Sequence, residues 1–347
     1  MKKISRPQLR RLDRRAIRRY LKLQRRIWRN RKVRRVALIP DWGIWHAPEY
    51  FTLTGNHRGK LIRKLRSLRN LIATARGPVR LDFSKTLRLS SAGTLLFAAE
   101  LRRMFKHFPH IRSSVRCTLG VNNKVTQVLK QIGILDLLGR KSRVIPCDDD
   151  VVSWHFTHGN KVDGVKFEEG LGNLSSMIEG NVQTELYEGF IEAMNNAIHH
   201  AYIGTRDDGL SLNDNNDWWM FSQCREGQIT VVFCDLGLGI PVTLPKKKPL
   251  LWERILLQGH KLDADVIEYA VQDSVTRMPV SGRGYGLKQL IDVVTTTNTG
   301  SVAILSNRGR YFIDGKKTIK KNHYDDSICG TLIHWTIPAI LQDGVSI

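Results

Sequence analysis

The sequence lacks long apolar runs and has little cysteine. No run of about 18 apolar residues occurs, so a transmembrane helix is not expected. No apolar segment follows the positive charges of MKKISRPQLRRLDRR, which argues against a secretory signal peptide. The five cysteines form no CxxC pair and are odd in number, which disfavours a zinc site or a disulfide framework. We therefore expect a cytoplasmic protein without a membrane segment, in which Cys117 and Cys234 are buried, unreactive thiols.

Positive charge is abundant and is concentrated at the start of the chain. Of the net charge of +23, residues 1–35 contribute most, with 17 Lys and Arg against the single acid Asp13. Apolar residues at three- and four-residue steps predict a helix from about Pro7 to about Val36. Arginine forks bind phosphate well, so the segment predicts salt-sensitive contacts with nucleic acid or a ribonucleoprotein. An acidic protein surface, a membrane surface and a solvated helix docked on the protein itself are the alternatives.

Strand-like and helix-like stretches alternate over residues 41–145, with short connections that favour an α/β layer structure. We expect a helix over RGKLIRKLRSLRNLIATA, a strand over Val79–Phe83, and a helix from about Ala92. A second strand, SVRCTLGV, leads into NNKVTQVLKQIGILDLL, which is predicted to form another amphipathic helix.

The stretches RLDFSKTLRLSSAGTLLFAAEL and NKVTQVLKQIGILDLL resemble the STAS domain of anti-sigma-factor antagonists. The resemblance implies a surface for a protein partner and a phosphorylatable serine before a helix, here Ser90 or Ser91. The family loop usually reads Asp-Ser-Ser-Gly, whereas this chain has Leu-Ser-Ser-Ala-Gly. Capping of the helix N-terminus is the alternative role of the two serines.

The stretch ELYEGFIEAMNNAIHHAY combines an apolar stripe at helical spacing with a second, polar face. Glu188, Glu192, Asn196 and His200 step by four and are predicted to form one column on that face. A solvated helix face is the simplest interpretation of such a column. A catalytic or binding face is the alternative.

Two glycine-rich stretches follow. The strand QITVVFCDLGLGIP ends in Asp235, Gly237 and Gly239, whose glycines let the backbone turn sharply and approach a ligand. Asp235 could accept a hydrogen bond from an exocyclic amine. The stretch VSGRGYGLKQLIDVV places three glycines before a helix, a backbone arrangement that favours anions. Neither stretch follows the Rossmann or Walker order. A terminal strand, GTLIHWTIP, completes the series.

The order of these features resembles the GHKL ATPase family over about residues 166–340, and EAMNNAIHHAY is especially similar to its anti-sigma kinase branch. The resemblance implies that Glu192 is a general base and that Asn196 holds Mg²⁺ through its side-chain oxygen. It also implies that Asp235 binds the adenine amine with support from Thr331. The implied ATP-binding residues are Asn196, His200, Asp235, Gly237, Gly239, Ile240, Gly282, Arg283, Gly284, Tyr285, Gly286, Leu287 and Thr331. Candidates for contact with the γ-phosphate are Lys246, Lys247, Lys248, Arg277, Arg283 and Lys288.

The predicted fold class is α/β (α+β): a STAS-like α/β layer domain followed by a GHKL (Bergerat) α/β sandwich, preceded by a basic helix. We expect a basic arm over residues 1–40, the STAS-like domain over 41–145, a linker over 146–165 and the GHKL domain over 166–347.

The favoured function is a Mg-ATP-binding ATPase that acts as a nucleotide-driven regulatory switch in the bacterial cytoplasm. Its arm would contact nucleic acid or a ribonucleoprotein, and its STAS-like domain a protein partner. An anti-sigma-type serine/threonine kinase and a non-catalytic nucleotide sensor are the alternatives. A sensor histidine kinase is disfavoured because no histidine lies in a recognisable helical acceptor box. Whether phosphate passes to water or to a hydroxyl, and whether the chain forms a homodimer, stays open.

Overall fold

The computed structural model describes residues 43–340, apart from residues 207, 209, 211, 213–215, 260–261 and 277–285. The side chains of residues 275 and 276 are also outside the description. The predicted arm of residues 1–40 therefore lies outside the described residues. So do the predicted site residues Gly282, Arg283, Gly284 and Tyr285, and the candidate Arg277.

Helices occur throughout the described part of the chain. They are α1 (His57–Thr74), α2 (Ser91–His107), α3 (Pro109–Arg112), α4 (Asn123–Gln131), α5 (Ile134–Leu137), α6 (Asp149–Val152), α7 (Val165–Leu171), α8 (Gly180–Asn196), α9 (Ile240–Lys247), α10 (Pro249–Leu257), α11 (Asp263–Thr276) and α12 (Leu287–Thr295). A 3₁₀-helix, Gly172–Met177, follows α7, and a π-helical segment, Ala197–Ala201, follows α8.

The strands form three sheets. They are β1 (Gly43–His46), β2 (Tyr50–Phe51), β3 (Val79–Phe83), β4 (Arg88–Leu89), β5 (Val115–Leu119), β6 (His155–Gly159), β7 (Trp218–Arg225), β8 (Gln228–Asp235), β9 (Ser301–Ser306), β10 (Gly309–Asp314), β11 (Ile319–His323) and β12 (Thr331–Pro338). The sheet orders are β1-β3-β5, β2-β4 and β11-β10-β9-β12-β8-β7-β6.

The three-stranded sheet is parallel and packs against helices of the first part of the chain. Val79, Leu81 and Phe83 alternate with more exposed residues along β3, as expected of a strand that buries one face. Phe97 of α2 stacks on Trp45 of β1, with ring centroids 5.6 Å apart. Burial of each such large apolar side chain stabilises the fold by about 1.5–3 kcal/mol.

The seven-stranded sheet is antiparallel at every strand pair, and its inner strand β8 is buried on both faces. Ile229, Val231 and Phe233 belong to the hydrophobic cluster that contains α8 and α12. Val232 and Cys234 belong to the cluster that contains α2 and the three-stranded sheet. The larger sheet therefore lies between two layers of helices, and α2 is the helix that covers its second face.

The segment predicted as a linker, residues 146–165, contains regular structure. It includes α6 and the strand β6, and β6 pairs antiparallel with β7 from His155↔Ser222 to Gly159↔Trp218. A short strand at the edge of a sheet leaves little signal in sequence, because its burial pattern is weak. The division into domains at residues 41–145 and 166–347 stays a prediction.

Several expected elements are confirmed. The helix over RGKLIRKLRSLRNLIATA, the strands over Val79–Phe83 and SVRCTLGV, and the helix after Ser90 are present. The single helix predicted over NNKVTQVLKQIGILDLL is divided into α4 and α5, because Gly133 between them has a φ of +71°. The chain is mixed α/β, and Cys117 and Cys234 are buried free thiols, as expected. None of the helices in the described part of the chain has the length and apolar character that crossing a bilayer requires.

The serines before α2 do not cap it through their side chains. Ser90 occupies the N-cap position, but its hydroxyl donates to the carbonyl of Phe51 on β2 at 2.6 Å. The hydroxyl therefore connects the helix start to a neighbouring strand, and Ser91 is buried as the first residue of the helix.

Candidate functional site

The helix α8 carries the two residues at the centre of the predicted chemistry. Its apolar stripe, including Leu186, Phe190 and Met194, is fully buried and fixes which face points away from the core. On another face, the Asn196 side-chain amide donates from Nδ2 to Oε1 of Glu192 at 2.8 Å. This bond uses only the amide nitrogen. The amide oxygen Oδ1 accepts a hydrogen bond from none of the described residues.

Glu192 is 8% exposed. Burial raises the pKa of its carboxyl, and the hydrogen bond from Asn196 and the positive charge of Lys248 only partly oppose that effect. A carboxyl group with a raised pKa is a stronger base when ionised, which suits proton abstraction from water or a hydroxyl.

The predicted column of four residues is interrupted at its end. Glu188, Glu192 and Asn196 lie within α8, but the α-helix ends at Asn196 and the next five residues are π-helical. A π turn holds more residues than an α turn, so His200 no longer continues the four-residue row. His200 is exposed in this segment.

The end of β8 places Asp235 in the interior between two partner strands. Asp235 is opposite Trp218 on β7 and opposite Thr331 on β12. Its Oδ1 accepts from the backbone N–H of Gly237 at 2.9 Å. Burial raises the pKa of Asp235 to about 6, although hydrogen bonds from Gly237 and Thr331 act in the opposite direction. Thr331 thus hydrogen-bonds Asp235 directly, whereas the resemblance implies that Thr331 supports an adenine contact through water.

The two glycines after Asp235 are required by close contacts. A Cβ on Gly237 would lie 2.4 Å from the carbonyl oxygen of Ala201, at the end of the π segment. Gly239 has a φ of +79°, a left-handed conformation that disfavours other residues, and it immediately precedes α9. The backbone N–H of Leu238 donates to the Ala201 carbonyl at 2.8 Å. The glycine loop thus packs directly against the end of the π-helical segment that follows Asn196.

Ser306 and Asn307, which sequence reasoning missed, connect the glycine loop to the Gly-Thr strand. The Ser306 hydroxyl accepts from the N–H of Ile240 at 2.8 Å and lies 3.1 Å from the Thr331 hydroxyl. The Asn307 amide donates to the carbonyl of Leu238 at 2.8 Å and lies in a left-handed turn. The turn sequence SNRG was the one local signal for Asn307, since asparagine tolerates that conformation.

The helix α12 begins directly after Gly286, which has a φ of +67°, and Leu287 is its first residue. The carbonyl of Gln289 on α12 would lie 3.0 Å from a Cβ on Gly189, so α12 and α8 approach closely. Two of the lysines predicted as candidates for contact with the γ-phosphate form ion pairs within the protein. Lys248 donates to Asp273 at 2.8 Å, and Lys288 pairs with Asp292. Lys246 and Lys247 are exposed.

The structure thus brings together residues that are far apart in sequence. Ser306 joins the start of α9 to Thr331, which pairs with Asp235. The loop Gly237–Gly239 contacts Ala201, five residues after Asn196. Among the described residues, no group of three or more His, Cys, Asp or Glu side chains could hold a metal ion. A cation here would have to be held through Asn196 Oδ1 and the oxygens of a ligand, as Mg²⁺ often is with phosphates.

No model of a known protein family matches the chain, and no curated protein matches it in sequence.

Proposed function

We propose that the chain binds Mg-ATP at this site and acts as a nucleotide-driven regulatory switch of the GHKL type. The observation that carries the proposal is the convergence of Asp235, the loop Gly237–Gly239 and Thr331 with the π segment that directly follows Asn196. These residues come from three separate stretches of the sequence. Their proximity is what a single ligand contacted by all of them would require.

The adenine end of the ligand would lie at Asp235. The Asp235 carboxylate accepts from the Gly237 N–H at Oδ1 and also takes a hydrogen bond from Thr331, so an exocyclic amine would use one of its remaining lone pairs. With a pKa of about 6, this carboxyl is ionised at neutral pH and is a strong acceptor. The nearby glycines let the loop pack closely on Ala201, Ser306 and Asn307, which fixes the backbone beside Asp235.

The phosphate end would lie at the end of α8 and the start of α12. Asn196 offers Oδ1 as a hard oxygen ligand, and Mg²⁺ held there would neutralise phosphate charge. Glu192 would take the proton from the attacking water or hydroxyl through the oxygen that Asn196 does not engage. Lys248, whose charge acts on Glu192, would have to leave Asp273 to contact a phosphate.

Hydrolysis is favoured over transfer to the chain's own serines. The Ser90 hydroxyl is hydrogen-bonded to Phe51, and Ser91 is buried. Incubation with γ-labelled ATP and Mg²⁺ tests this point. We expect label in free phosphate. Label on the protein would instead support the kinase function, and bound ATP without turnover would support a nucleotide sensor.

The basic arm is the proposed contact with nucleic acid or a ribonucleoprotein. Its 17 Lys and Arg within residues 1–35 would release counterions on binding phosphates, which makes affinity fall steeply with salt. The test compares the full chain with a variant lacking residues 1–35, using unrelated RNA and DNA at several salt concentrations. Unchanged binding at low salt after the deletion would contradict this part of the proposal.

A further inference from the structure

Arg206 is a buried arginine that joins three segments of the chain. It is 3% exposed and lies between the π-helical segment Ala197–Ala201 and the strand β7. Its Nη1 donates to the carbonyl of Cys329 at 2.9 Å, and its Nη2 donates to Glu100 Oε1 at 2.8 Å and to Asp208 Oδ2 at 2.7 Å. Because a guanidinium has five donors in a fixed plane, one side chain can satisfy all three acceptors at once.

The acceptors of Arg206 belong to a buried ionic cluster, defined here as Arg69, Glu100, Arg103, Arg206 and Asp208. Arg69 donates to Glu100 at 2.9 Å and Arg103 donates to Asp208 at 2.7 Å. Burial alone would lower the pKa of Arg206, but the charges of Glu100 and Asp208 raise it overall. The cluster therefore holds three arginines and two carboxylates, a net charge of +1, and it connects α1 and α2 to the loop that contains Arg206.

The third acceptor, the Cys329 carbonyl, lies in a strained turn. Cys329 has a φ of +55° and Gly330 one of +149°. A Cβ on Gly330 would lie 2.3 Å from the carbonyl oxygen of Asp235, so the turn packs directly against Asp235 where the β8–β12 pairing ends. A non-glycine residue in the left-handed region persists only when its surroundings hold it there.

Side-chain packing is incomplete on the Arg206 side of this turn. A cavity of about 130 Å³ lies there, lined by Arg206, Gly237, Leu238, Asn307 and Cys329 among others. Ile328 packs in the hydrophobic core beside the turn, and hydrogen bonds hold the turn on its cavity side. Arg206 donates one hydrogen bond, to the carbonyl of Cys329. The side-chain oxygen of Asn307 accepts another, from the N–H of Gly330 at 3.3 Å.

We propose that Arg206 is a positioning residue of the nucleotide site: it holds the turn Cys329–Thr331 against Asp235, so that adenine-nucleotide affinity depends on the ionic cluster. This inference rests on the proposed function. It gives α2, the helix on the opposite face of the seven-stranded sheet, a direct physical connection to the adenine end through Glu100.

A matched pair of variants tests the inference. Arg58 is also 3% exposed and donates to the carbonyl of Asp326 in the same loop at 2.8 Å, but it does not contact the turn Cys329–Thr331. We compare Arg206→Met with Arg58→Met at a temperature at which both are folded by circular dichroism. We expect the Kd for Mg-ADP to rise about 10-fold or more for Arg206→Met, and less than about 3-fold for Arg58→Met.

Equal Kd changes in the two variants, or an unchanged Kd in Arg206→Met, would overturn the positioning role. If the unaltered chain does not bind Mg-ADP, the proposed function fails, and amide hydrogen exchange decides the inference separately. In that case, the N–H groups of Gly330 and Thr331 should exchange faster in Arg206→Met than in Arg58→Met. Equal exchange in the two variants would then contradict the inference.

Discussion

Two buried glutamates on long helices, Glu100 on α2 and Glu192 on α8, have opposite electrostatic surroundings. Glu100 is 1% exposed and accepts hydrogen bonds from Arg69 and Arg206. Burial alone would raise the pKa of Glu100, but the charges of Arg206, Arg69 and Arg103 lower it overall. Its negative charge is therefore fully compensated.

Glu192 is 8% exposed and has one described hydrogen-bond donor, the neutral amide of Asn196. Burial raises its pKa, and the charge of Lys248 only partly reverses the effect. The same side chain thus supports the structure where its charge is matched and becomes a reactive base where it is not. Surroundings, rather than residue type, assign the two roles.

The largest effect is expected on the reaction itself. Glu192→Gln removes the base while keeping the acceptor for Asn196, so phosphate release from ATP should fall about 10²- to 10⁴-fold while Mg-ADP still binds. Steady-state phosphate release and ADP titration measure the two quantities. Glu188→Gln, an exposed change one turn earlier on α8, is the control and should leave the rate unchanged. A Glu192→Gln variant with full activity would remove Glu192 from the mechanism.

The same substitution should lower the stability at Glu100 but not at Glu192. Glu100→Gln leaves three buried arginines with one carboxylate fewer, so the free energy of unfolding should fall by about 3 kcal/mol or more. Glu192→Gln imitates the protonated form that burial favours, so it should be neutral or slightly stabilising. Urea unfolding at neutral pH measures both values. A comparable loss in both variants would contradict the distinction drawn here.

Asp235 extends the comparison to a third buried carboxyl group, whose pKa is also raised by burial. With a pKa of about 6 in the folded state against an ordinary 3.8, the folded chain holds more protons than the unfolded chain between about pH 4 and pH 6. Ionisation of Asp235 therefore lowers the stability as pH rises through that window, by about 3 kcal/mol at most. The stability of Asp235→Asn should not decline over this range, so its stability should be closest to that of the unaltered chain near pH 4. Parallel stability curves for the two proteins would contradict the raised pKa.

The smallest effect is expected at the glycine loop. Gly237→Ala places a Cβ 2.4 Å from the Ala201 carbonyl, which should cost about 1–3 kcal/mol of stability and weaken Mg-ADP binding. Gly180→Ala, where a Cβ meets nothing within 4 Å, is the matched control and should change neither quantity. If the two alanine variants behave alike in unfolding and binding, the close contact does not shape the site.

Local patterns were sufficient for most elements around the site. Helical spacing predicted α8, alternating apolar residues predicted β8 and β12, and the glycine before Leu287 predicted the start of α12. The association of Asp235 with Thr331 was implied by the resemblance to the GHKL family and not by a local pattern. Elements with strong periodicity carry their own signal in sequence, because one face of each is buried.

The contacts that distinguish Glu100 from Glu192 could not be predicted in this way. Glu100 and Arg206 are 106 positions apart, and neither has a local pattern that marks it as buried. The weak strand β6 and the π segment that displaces His200 were missed for a related reason: their conformations depend on packing and on backbone contacts made elsewhere in the fold.

Equilibrium titration of Mg-ADP, into the unaltered chain and into Asp235→Asn, tests the central claim most directly. Gly237 N–H faces Oδ1 of residue 235, so an asparagine would direct its NH₂ towards the adenine amine, and two donors would oppose each other. We expect saturable binding to the unaltered chain and a loss of about 10-fold or more in Asp235→Asn. No binding to the unaltered chain, or equal affinity in the two proteins, would contradict an adenine site at Asp235.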